Sequence, residues 1–184
     1  MRIIGGKARG TKLYSLEGEN TRPTLDRVKE SLFNIIQNDI QDSVFLDLFS
    51  GSGAIGLEAI SRGAKKAILC DKSKEAIKII QKNVAKTKFE KQVEIYCTDF
   101  EKWIKEKQGI SLDIVYIDPP YQTDYVYKAV KLLLEQKLVN EKTLIIIETD
   151  RKEIMDDIEN LPIIKVDERK YGRAQLIFLK KCES

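Results

Sequence analysis

After residue 42, short apolar runs alternate along the chain with stretches in which apolar residues recur at helical spacing. Three of the runs, AILC, DIVYI and LIIIE, are almost continuously apolar, as in parallel strands that helices cover on both faces. The pattern predicts strands at SVFLDLF, KKAILCD, QVEIYC, LDIVYID, KTLIIIET and AQLIFLKK. It predicts helices over residues 54–62, 74–86, 100–107, 124–136 and 151–159. This alternation indicates the α/β class, with a doubly wound sheet.

The two ends of the chain break the alternation. Near the C-terminus, two strand-like runs are separated only by a turn at residues 171–173, which predicts a hairpin and an antiparallel last strand in a seven-stranded sheet. At the N-terminus, RIIGGKARGTKLYS predicts a small hairpin with glycine turns. Pro23 and Thr24 then open a helix whose apolar face is Leu25, Val28, Leu32, Ile35 and Ile36. The 184 residues fit one domain, 1–184, with residues 1–40 as an N-terminal extension.

Composition excludes several kinds of chemistry. The chain contains no histidine, so a Ser-His-Asp or Cys-His nucleophile, a histidine base and a histidine-rich metal site are impossible. The three cysteines are scattered, which predicts reduced thiols and no metal. No apolar run approaches the ~20 residues that span a bilayer, and the N-terminus lacks a signal-peptide core. We therefore expect a cytoplasmic protein with no membrane partner.

Positive charge is concentrated at the start of the chain. The net charge is only +3, but residues 1–29 carry seven bases against three acids. Such a basic segment suggests a polyanionic partner, although a solvated surface loop would have the same composition. The seven bases are Arg2, Lys7, Arg9, Lys12, Arg22, Arg27 and Lys29.

A glycine-rich turn joins the first predicted strand to the next helix in FLDLFSGSGAIGLEAI. Gly51, Gly53 and Gly56 spell GxGxxG, and Asp71 ends the following strand, where it could bind ribose hydroxyls. A carboxylate beside the loop, Asp47, would repel a pyrophosphate but would suit an ammonium group. With no histidine available for hydride transfer, the pattern favours S-adenosylmethionine over a nicotinamide cofactor.

A further acid follows the third predicted strand, in YCTDFEKW. Asp99 could accept a hydrogen bond from the adenine amino group while Phe100 packs on the adenine ring. Asp99 could equally be the N-cap of the helix over residues 100–107, and the two roles are compatible.

The stretch YIDPPYQ places an acid and two prolines at the end of the fourth predicted strand, at the sheet edge where ligands bind. Pro119 and Pro120 cannot extend the strand, and the carbonyl of Pro119 can lie beside the Asp118 carboxylate. Two such acceptors match the two hydrogens of a nucleobase amine and would orient its lone pair, while Tyr121 stacks on the base. The pattern predicts amine methylation by positioning, although an acid-capped strand terminator would look the same.

DLFSGSG followed by DPPY resembles the class I S-adenosylmethionine-dependent methyltransferases that modify exocyclic amino groups of bases. More closely, RIIGGKARG, TRPTLDRVKESLFNII, DLFSGSGAIGLEAISRGA and YGRAQLIFLKK are similar to the RsmD family. That resemblance covers residues 1 to about 181. It implies a Rossmann-like fold and methylation of a guanine N2 in 16S ribosomal RNA, and we expect a monomer acting on an assembled or partly assembled small ribosomal subunit.

The resemblance also implies roles for individual residues. Cofactor contacts would come from Asp47, Phe49, Ser50, Gly51, Gly53, Asp71, Asp99 and Phe100. The target base would meet Asp118, Pro119, Pro120 and Tyr121. The substrate RNA would meet Arg2, Lys7, Arg9, Lys12, Arg22 and Thr24. The last two belong to an RPT element that would close over the active site or the substrate.

Three other functions fit parts of the sequence. A DNA adenine-N6 methyltransferase would use the same DPPY geometry, but the chain has little room for an element that reads the major groove. A nicotinamide-dependent oxidoreductase would explain GxGxxG and leave DPPY and the basic segment unexplained. A non-catalytic RNA-binding module would not need Asp118 and Tyr121.

Overall fold

The computed structural model describes residues 1–18, 23–120 and 123–183, and for Pro23 and Thr24 it describes only the backbone. The helices are α1 (Pro23–Ile35), α2 (Gln37–Ile40), α3 (Ala54–Ser61), α4 (Lys74–Thr87), α5 (Phe100–Glu106), α6 (Tyr125–Glu135) and α7 (Ile154–Ile158). The strands are β1 (Val44–Asp47), β2 (Lys66–Asp71), β3 (Val93–Cys97), β4 (Ile114–Ile117), β5 (Leu144–Thr149), β6 (Ile163–Tyr171) and β7 (Ala174–Lys181).

The described strands form one seven-stranded sheet in the order β3-β2-β1-β4-β5-β7-β6. Strands β1 to β5 are parallel, and β7 lies antiparallel between β5 and β6. This confirms the predicted α/β fold class and the antiparallel last strand. The strand order reverses between β1 and β4, and the crevice at the carboxyl edge of such a sheet is where ligands bind.

Alternating side chains of the strands enter two separate cores. Phe45, Tyr116 and Ile146 pack on the face covered by α1, α3 and α4. Leu46 and Ile147 pack on the opposite face against α5, α6 and α7. Because both faces are covered, the central strands are apolar at successive positions, which is the pattern read from the sequence.

Helix α4 shows how local sequence sets its limits. The hydroxyl of Ser73 accepts a hydrogen bond from the Ala76 N–H at 3.2 Å, which satisfies one of the free donors at the helix start. Ile77, Ile80 and Val84 form the stripe that packs on the sheet. The helix ends at Thr87 and is followed by Lys88, which adopts a left-handed conformation with φ of 63°.

Two helical regions differ from the predicted boundaries. The helix expected over residues 151–159 is confined to Ile154–Ile158, because Arg151 lies in the preceding loop and pairs there with Asp157 at 2.9 Å. The short helix α2, Gln37–Ile40, was not predicted, since four residues carry no readable periodicity.

The predicted apolar face of α1 is buried over most of its length. Val28, Leu32 and Ile36 are buried and Ile35 is half-buried, but Leu25 is 42% exposed. Leu25 lies in the first turn of α1, where the helix overhangs the carboxyl edge of the sheet, and it lines the cleft described below.

Residues 1–14, which we call the N-terminal arm, are fixed against α3. A pair of glycine-flanked turns brings Arg2 opposite Lys12, as predicted for a small hairpin. The buried carboxylate of Glu58 accepts hydrogen bonds from the backbone of Ile4 and Gly5, each at 2.9 Å, and lies 3.3 Å from the ammonium group of Lys29. The arm is therefore held by a buried ionic group and is part of the same packed unit as the sheet.

Candidate active site

Three carboxylates end neighbouring strands on the α1 side of the sheet. Asp47 ends β1, Asp118 follows β4, and Glu148 lies near the end of β5. Two positions before each acid there is a residue of the core beneath α1. Because side chains two positions apart in a strand lie on the same face, all three acids lie on that side of the sheet. Those core residues are Phe45, Tyr116 and Ile146. The sequence prediction included Asp47 and Asp118 but not Glu148, although an acid at the end of the apolar run LIIIE was the available signal.

The glycine-rich turn predicted between β1 and α3 is present and is tightly held. Gly51 and Gly53 have φ of 55° and 84°, a conformation that other residues rarely adopt. The Ser50 N–H donates to the Cys70 carbonyl at 2.9 Å, and the Ser50 hydroxyl donates to the Asp47 carbonyl. The loop is thereby fixed to both β1 and β2 at the edge of the sheet.

Asp71 stabilises this loop from the neighbouring strand. One of its carboxylate oxygens accepts a hydrogen bond from the Gly51 N–H and the other accepts one from the Ser73 N–H, each at 2.9 Å. Asp71 also lines the main cavity. A carboxylate oxygen can accept more than one hydrogen bond, so these contacts leave Asp71 able to bind a hydroxyl group in the cavity.

A cavity of about 620 Å³ runs along the carboxyl edge from Asp71 and Asp99 to Asp118. Its wall includes an aromatic cluster in which Phe49 lies 5.1 Å from Phe100, measured between ring centroids. Tyr125, which the sequence analysis missed, stacks nearly parallel to Phe49 at 6.0 Å and is 5.1 Å from Phe100. Tyr125 and Phe49 are only half-buried, whereas Phe100 is 3% exposed, so the first two rings offer more surface to a ligand.

Asp99 has the structural role that was considered for it and also lies at the cavity. Its carboxylate caps α5 by accepting a hydrogen bond from the Glu101 N–H at 2.9 Å. The same residue lines the cavity beside Thr98 and Phe100. A cap uses only part of the accepting capacity of a carboxylate, so the two roles remain compatible.

A smaller adjoining cavity of about 200 Å³ contains the glycine-rich loop and the three acids. Asp47 is 1% exposed there, and its carboxylate accepts a hydrogen bond from the Phe49 N–H at 3.3 Å. Burial raises the pKa of Asp47 to about 8, and the neighbouring acids Asp71 and Glu148 act in the same direction. Asp47 is therefore mostly uncharged at neutral pH unless a cation lies next to it.

Asp118 and Glu148 form a pair of acids across adjacent strands. Asp118 is exposed on the side that faces the cleft. Partial loss of hydration of its carboxyl, followed by the nearby charge of Glu148, raises the pKa of Asp118 well above its usual range. Burial, together with the same glutamate, also raises the pKa of the Tyr116 hydroxyl. Asp118 consequently holds a proton more tightly than an isolated aspartate in water does.

The other predicted residues of the target site are only partly described. Pro119 and Pro120 line the main cavity beside Asp118. Tyr121 and Arg22 lie outside the described residues, as does the side chain of Thr24.

The predicted RNA-contacting residues of the arm lie on the surface. Arg2, Lys7, Arg9 and Lys12 are all exposed. Arg2 lies 4.0 Å from the carboxylate of Asp26. Lys7 contacts the Gln92 side chain at 3.1 Å, near the C-terminal end of α4, so the tip of the arm is remote from the cleft.

The arm and α4 together form a basic face that the sequence analysis did not identify. Residues 72–91 carry seven lysines against two glutamates, a surplus of five that exceeds the net charge of the chain. None of these lysines forms an ion pair in the part of the chain that the structure describes. Lys82 and Lys86 lie over the ring of Tyr14, whose backbone is bound by Asn83 of α4. The lysines are Lys72, Lys74, Lys78, Lys82, Lys86, Lys88 and Lys91.

A family model described as "Conserved hypothetical protein 95" matches residues 1–180. A protein named "Ribosomal RNA small subunit methyltransferase D" from Haemophilus influenzae is 36% identical over 167 residues, covering 90% of this chain and 86% of the relative. The chain belongs to the RsmD family. The Escherichia coli protein of the same name is 35% identical over 150 residues, covering 82% of this chain and 75% of the relative. The family resemblance read from the motifs is thereby confirmed.

Solved structures support the same fold. A chain named "Putative methyltransferase yhhF" from Escherichia coli has a TM-score of 0.83 and 27% sequence identity, covering 100% of this chain and 99% of that one. The RsmD-family fold is thus that of a class I methyltransferase. In the described ranges, no helix is long and apolar enough to cross a membrane. The same residues contain no cluster of three or more acidic or cysteine side chains that could hold a metal ion.

Proposed function

We propose that this protein transfers a methyl group from S-adenosylmethionine to the exocyclic N2 of a guanine in 16S ribosomal RNA. The observation that carries the proposal is the position of Asp118, Pro119 and Pro120. They follow β4 and line the same cavity as the glycine-rich loop, which supports two hydrogen-bond acceptors next to the proposed cofactor site. The names of the relatives support a ribosomal RNA substrate.

The residues around the two cavities fit S-adenosylmethionine. Asp71 and Asp99 offer carboxylates for ribose hydroxyls and the adenine amine, and the rings of Phe49 and Tyr125 offer apolar surface for adenine. Asp47 lies beside the loop, where a cation would favour its charged form. Acids at these positions suit a ligand with an ammonium group and no phosphate. The bound cofactor would supply an electrophilic methyl group on sulfur, which departs as a neutral thioether.

The target amine needs orientation more than it needs a strong base. Its lone pair is delocalised into the purine ring, so it is a poor nucleophile in its planar form. The Asp118 carboxylate and the Pro119 carbonyl would accept its two hydrogens and favour a pyramidal nitrogen whose lone pair points at the methyl carbon. Once the new carbon–nitrogen bond forms, the nitrogen is positively charged and acidic, so it needs no strong base and its proton passes to solvent at the open side of the cleft. Positioning of this kind is worth about 7–11 kcal/mol in favourable cases.

The basic face formed by the arm and α4 supports a large anionic substrate. Helix α4 begins after Asp71 at the cleft and runs 14 residues away from it, or about 21 Å at 1.5 Å per residue. Lysines at four-residue spacing along an exposed helix are suited to a phosphate backbone. We propose that this face binds RNA phosphates while the cleft holds the target base, and that residues 1–184 act as one methyltransferase domain, as a monomer, in the cytoplasm.

The test is transfer of labelled methyl from S-adenosylmethionine to unmodified small ribosomal subunits, to their naked RNA and to duplex DNA, followed by identification of the modified nucleoside. The proposal predicts N2-methylguanosine in ribosomal RNA, with faster transfer to the subunit than to naked RNA. N6-methyladenine in DNA would contradict it. Equal rates on the two RNA forms would remove only the preference for the assembled subunit.

A substitution tests the assigned role of Asp118. We expect Asp118→Ala to abolish methyl transfer while leaving the affinity for S-adenosylmethionine nearly unchanged, because Asp118 would contact the base rather than the cofactor. Asp156→Ala is a matched control, since it removes an exposed acid of α7 away from the cleft. A large loss of cofactor binding in Asp118→Ala would show that the residue had been assigned to the wrong ligand.

A further inference from the structure

Glu148 lies in the cleft without a role in the reaction described so far. It projects from β5 into both cavities, between the glycine-rich loop and the target site. An acid at the end of a buried strand loses part of its hydration, which is unfavourable unless its neighbours or a ligand donate hydrogen bonds to it. Its surroundings therefore indicate which ligand group it can accept.

The backbone places Glu148 directly beside Asp118. Strands β4 and β5 are parallel neighbours, and Ile117 of β4 is paired with Ile147 of β5. Asp118 and Glu148 are the residues that come directly after this pair, so they also lie side by side. Neighbouring strands lie about 4.8 Å apart, so two acids that follow paired residues can face the same edge of one base. Both side chains leave the sheet on the α1 side. Glu148 also lies close enough to the buried Tyr116 hydroxyl to raise the pKa of that group.

This pair of acids has no basic partner in the described chain. Lys29 is the one lysine that lines the smaller cavity, and its ammonium group is bound to Glu58 and to the Arg2 carbonyl. The remaining ionisable groups acting on the pair are Asp47 and Tyr116, which are an acid and a hydroxyl. Lys72 and Arg151 line the main cavity, but neither forms an ion pair with these two acids in the described chain, and Arg151 is paired with Asp157. The pair of acids itself therefore offers mainly acceptors. A ligand that brings several N–H groups to one edge would satisfy it.

Guanine has such an edge, and adenine does not. Guanine presents two hydrogens on N2 and one on the adjacent N1, so three donors lie side by side. Adenine presents an amine next to an N1 that can only accept, and an ionised carboxylate facing that atom would be repelled. We propose that Glu148 accepts the N1–H of the target guanine while Asp118 and Pro119 hold its N2 amine. This inference rests on the proposed function, and it makes Glu148 the residue that selects guanine over adenine.

The experiment compares guanine with 2-aminopurine at the modified position, once that position has been mapped. 2-Aminopurine keeps the C2 amine but has an accepting N1, so it removes the one donor assigned to Glu148. Glu148→Gln presents an amide that can donate to that N1. We expect wild-type protein to prefer guanine by about 100-fold or more in kcat/KM, and Glu148→Gln to reduce that preference at least ~10-fold. Because the lost O6 contact is common to both proteins, it cancels in the comparison.

Glu159→Gln is the matched control, since it makes the same change at an exposed position after α7 and should keep the wild-type preference. The affinity for S-adenosylmethionine should be unchanged in Glu148→Gln, which also shows that the variant is folded. An unaltered preference in a variant that still produces N2-methylguanosine would overturn the role of Glu148 and leave the proposed function intact. A large loss of cofactor affinity would assign Glu148 to the cofactor instead. Absence of N2-methylguanosine from the wild-type product would overturn both proposals.

Discussion

Asp47 provides a quantitative test of the electrostatics of the cleft. The residue is buried at the end of β1, and burial raises its pKa from an ordinary value of 3.8 to about 8. In the unfolded chain it would titrate near its ordinary value. The native state therefore binds the proton more tightly than the unfolded state does. Between these two pKa values, the free energy of unfolding falls as the pH rises. Asp47→Asn mimics the protonated form, keeps an oxygen that can accept from the Phe49 N–H, and removes this pH dependence.

The magnitude follows from the two pKa values. Each pH unit between them is worth about 1.4 kcal/mol, because unfolding releases one proton over that range. Between about pH 5 and pH 8, the free energy of unfolding of Asp47→Asn should therefore rise by about 4 kcal/mol relative to wild type. Above about pH 8 the difference should level off, since Asp47 is then ionised in both states. A constant offset from the change of Asp to Asn does not affect this slope.

The assay is urea unfolding of both proteins, without cofactor, at several pH values between about pH 5 and pH 9. The difference between the two proteins isolates Asp47, because the other titrating groups are present in both. A difference that varies by less than ~1 kcal/mol over this range would refute the conclusion that Asp47 is buried in its neutral form. A difference that falls with increasing pH would refute the sign of the pKa shift.

Two further predictions concern the surface and the anchoring of the arm. The double change Lys78→Glu with Lys82→Glu should weaken binding of ribosomal RNA ~10-fold or more and reduce the slope of log affinity against log salt by about 2, measured by filter binding. Lys102→Glu with Lys142→Glu makes the same charge change away from α4, and an equal loss of affinity there would contradict a specific basic face. Glu58→Gln should lower the free energy of unfolding by about 3–5 kcal/mol and speed hydrogen exchange of the arm amides, whereas normal protection would contradict the anchoring role.

Much of the fold could be predicted because its information is local. The central parallel strands are buried on both faces, so they appear as continuous apolar runs. The helices between the strands carry a clear apolar stripe, such as Ile77, Ile80 and Val84. The motifs could also be recognised from short stretches of sequence, because a glycine-rich turn and an acid before two prolines each involve only a few consecutive residues. The boundaries were less certain where a tertiary contact decides them, as at Arg151, whose ion pair with Asp157 keeps it outside α7.

The composition of the site was decided only by the tertiary structure. Glu148 and Tyr125 lie in segments that carry no motif, and they reach the cleft because β5 pairs in register with β4 and α6 begins beside the glycine-rich loop. The basic face combines the arm with α4, which lie about 60 residues apart in the sequence and meet through hydrogen bonds between Tyr14 and Asn83. A sequence pattern records what each segment buries, whereas the identity of its neighbours depends on strand order and packing. For that reason the sequence alone determined the fold class and the reactive motif, and the structure determined which additional groups surround the reacting atom.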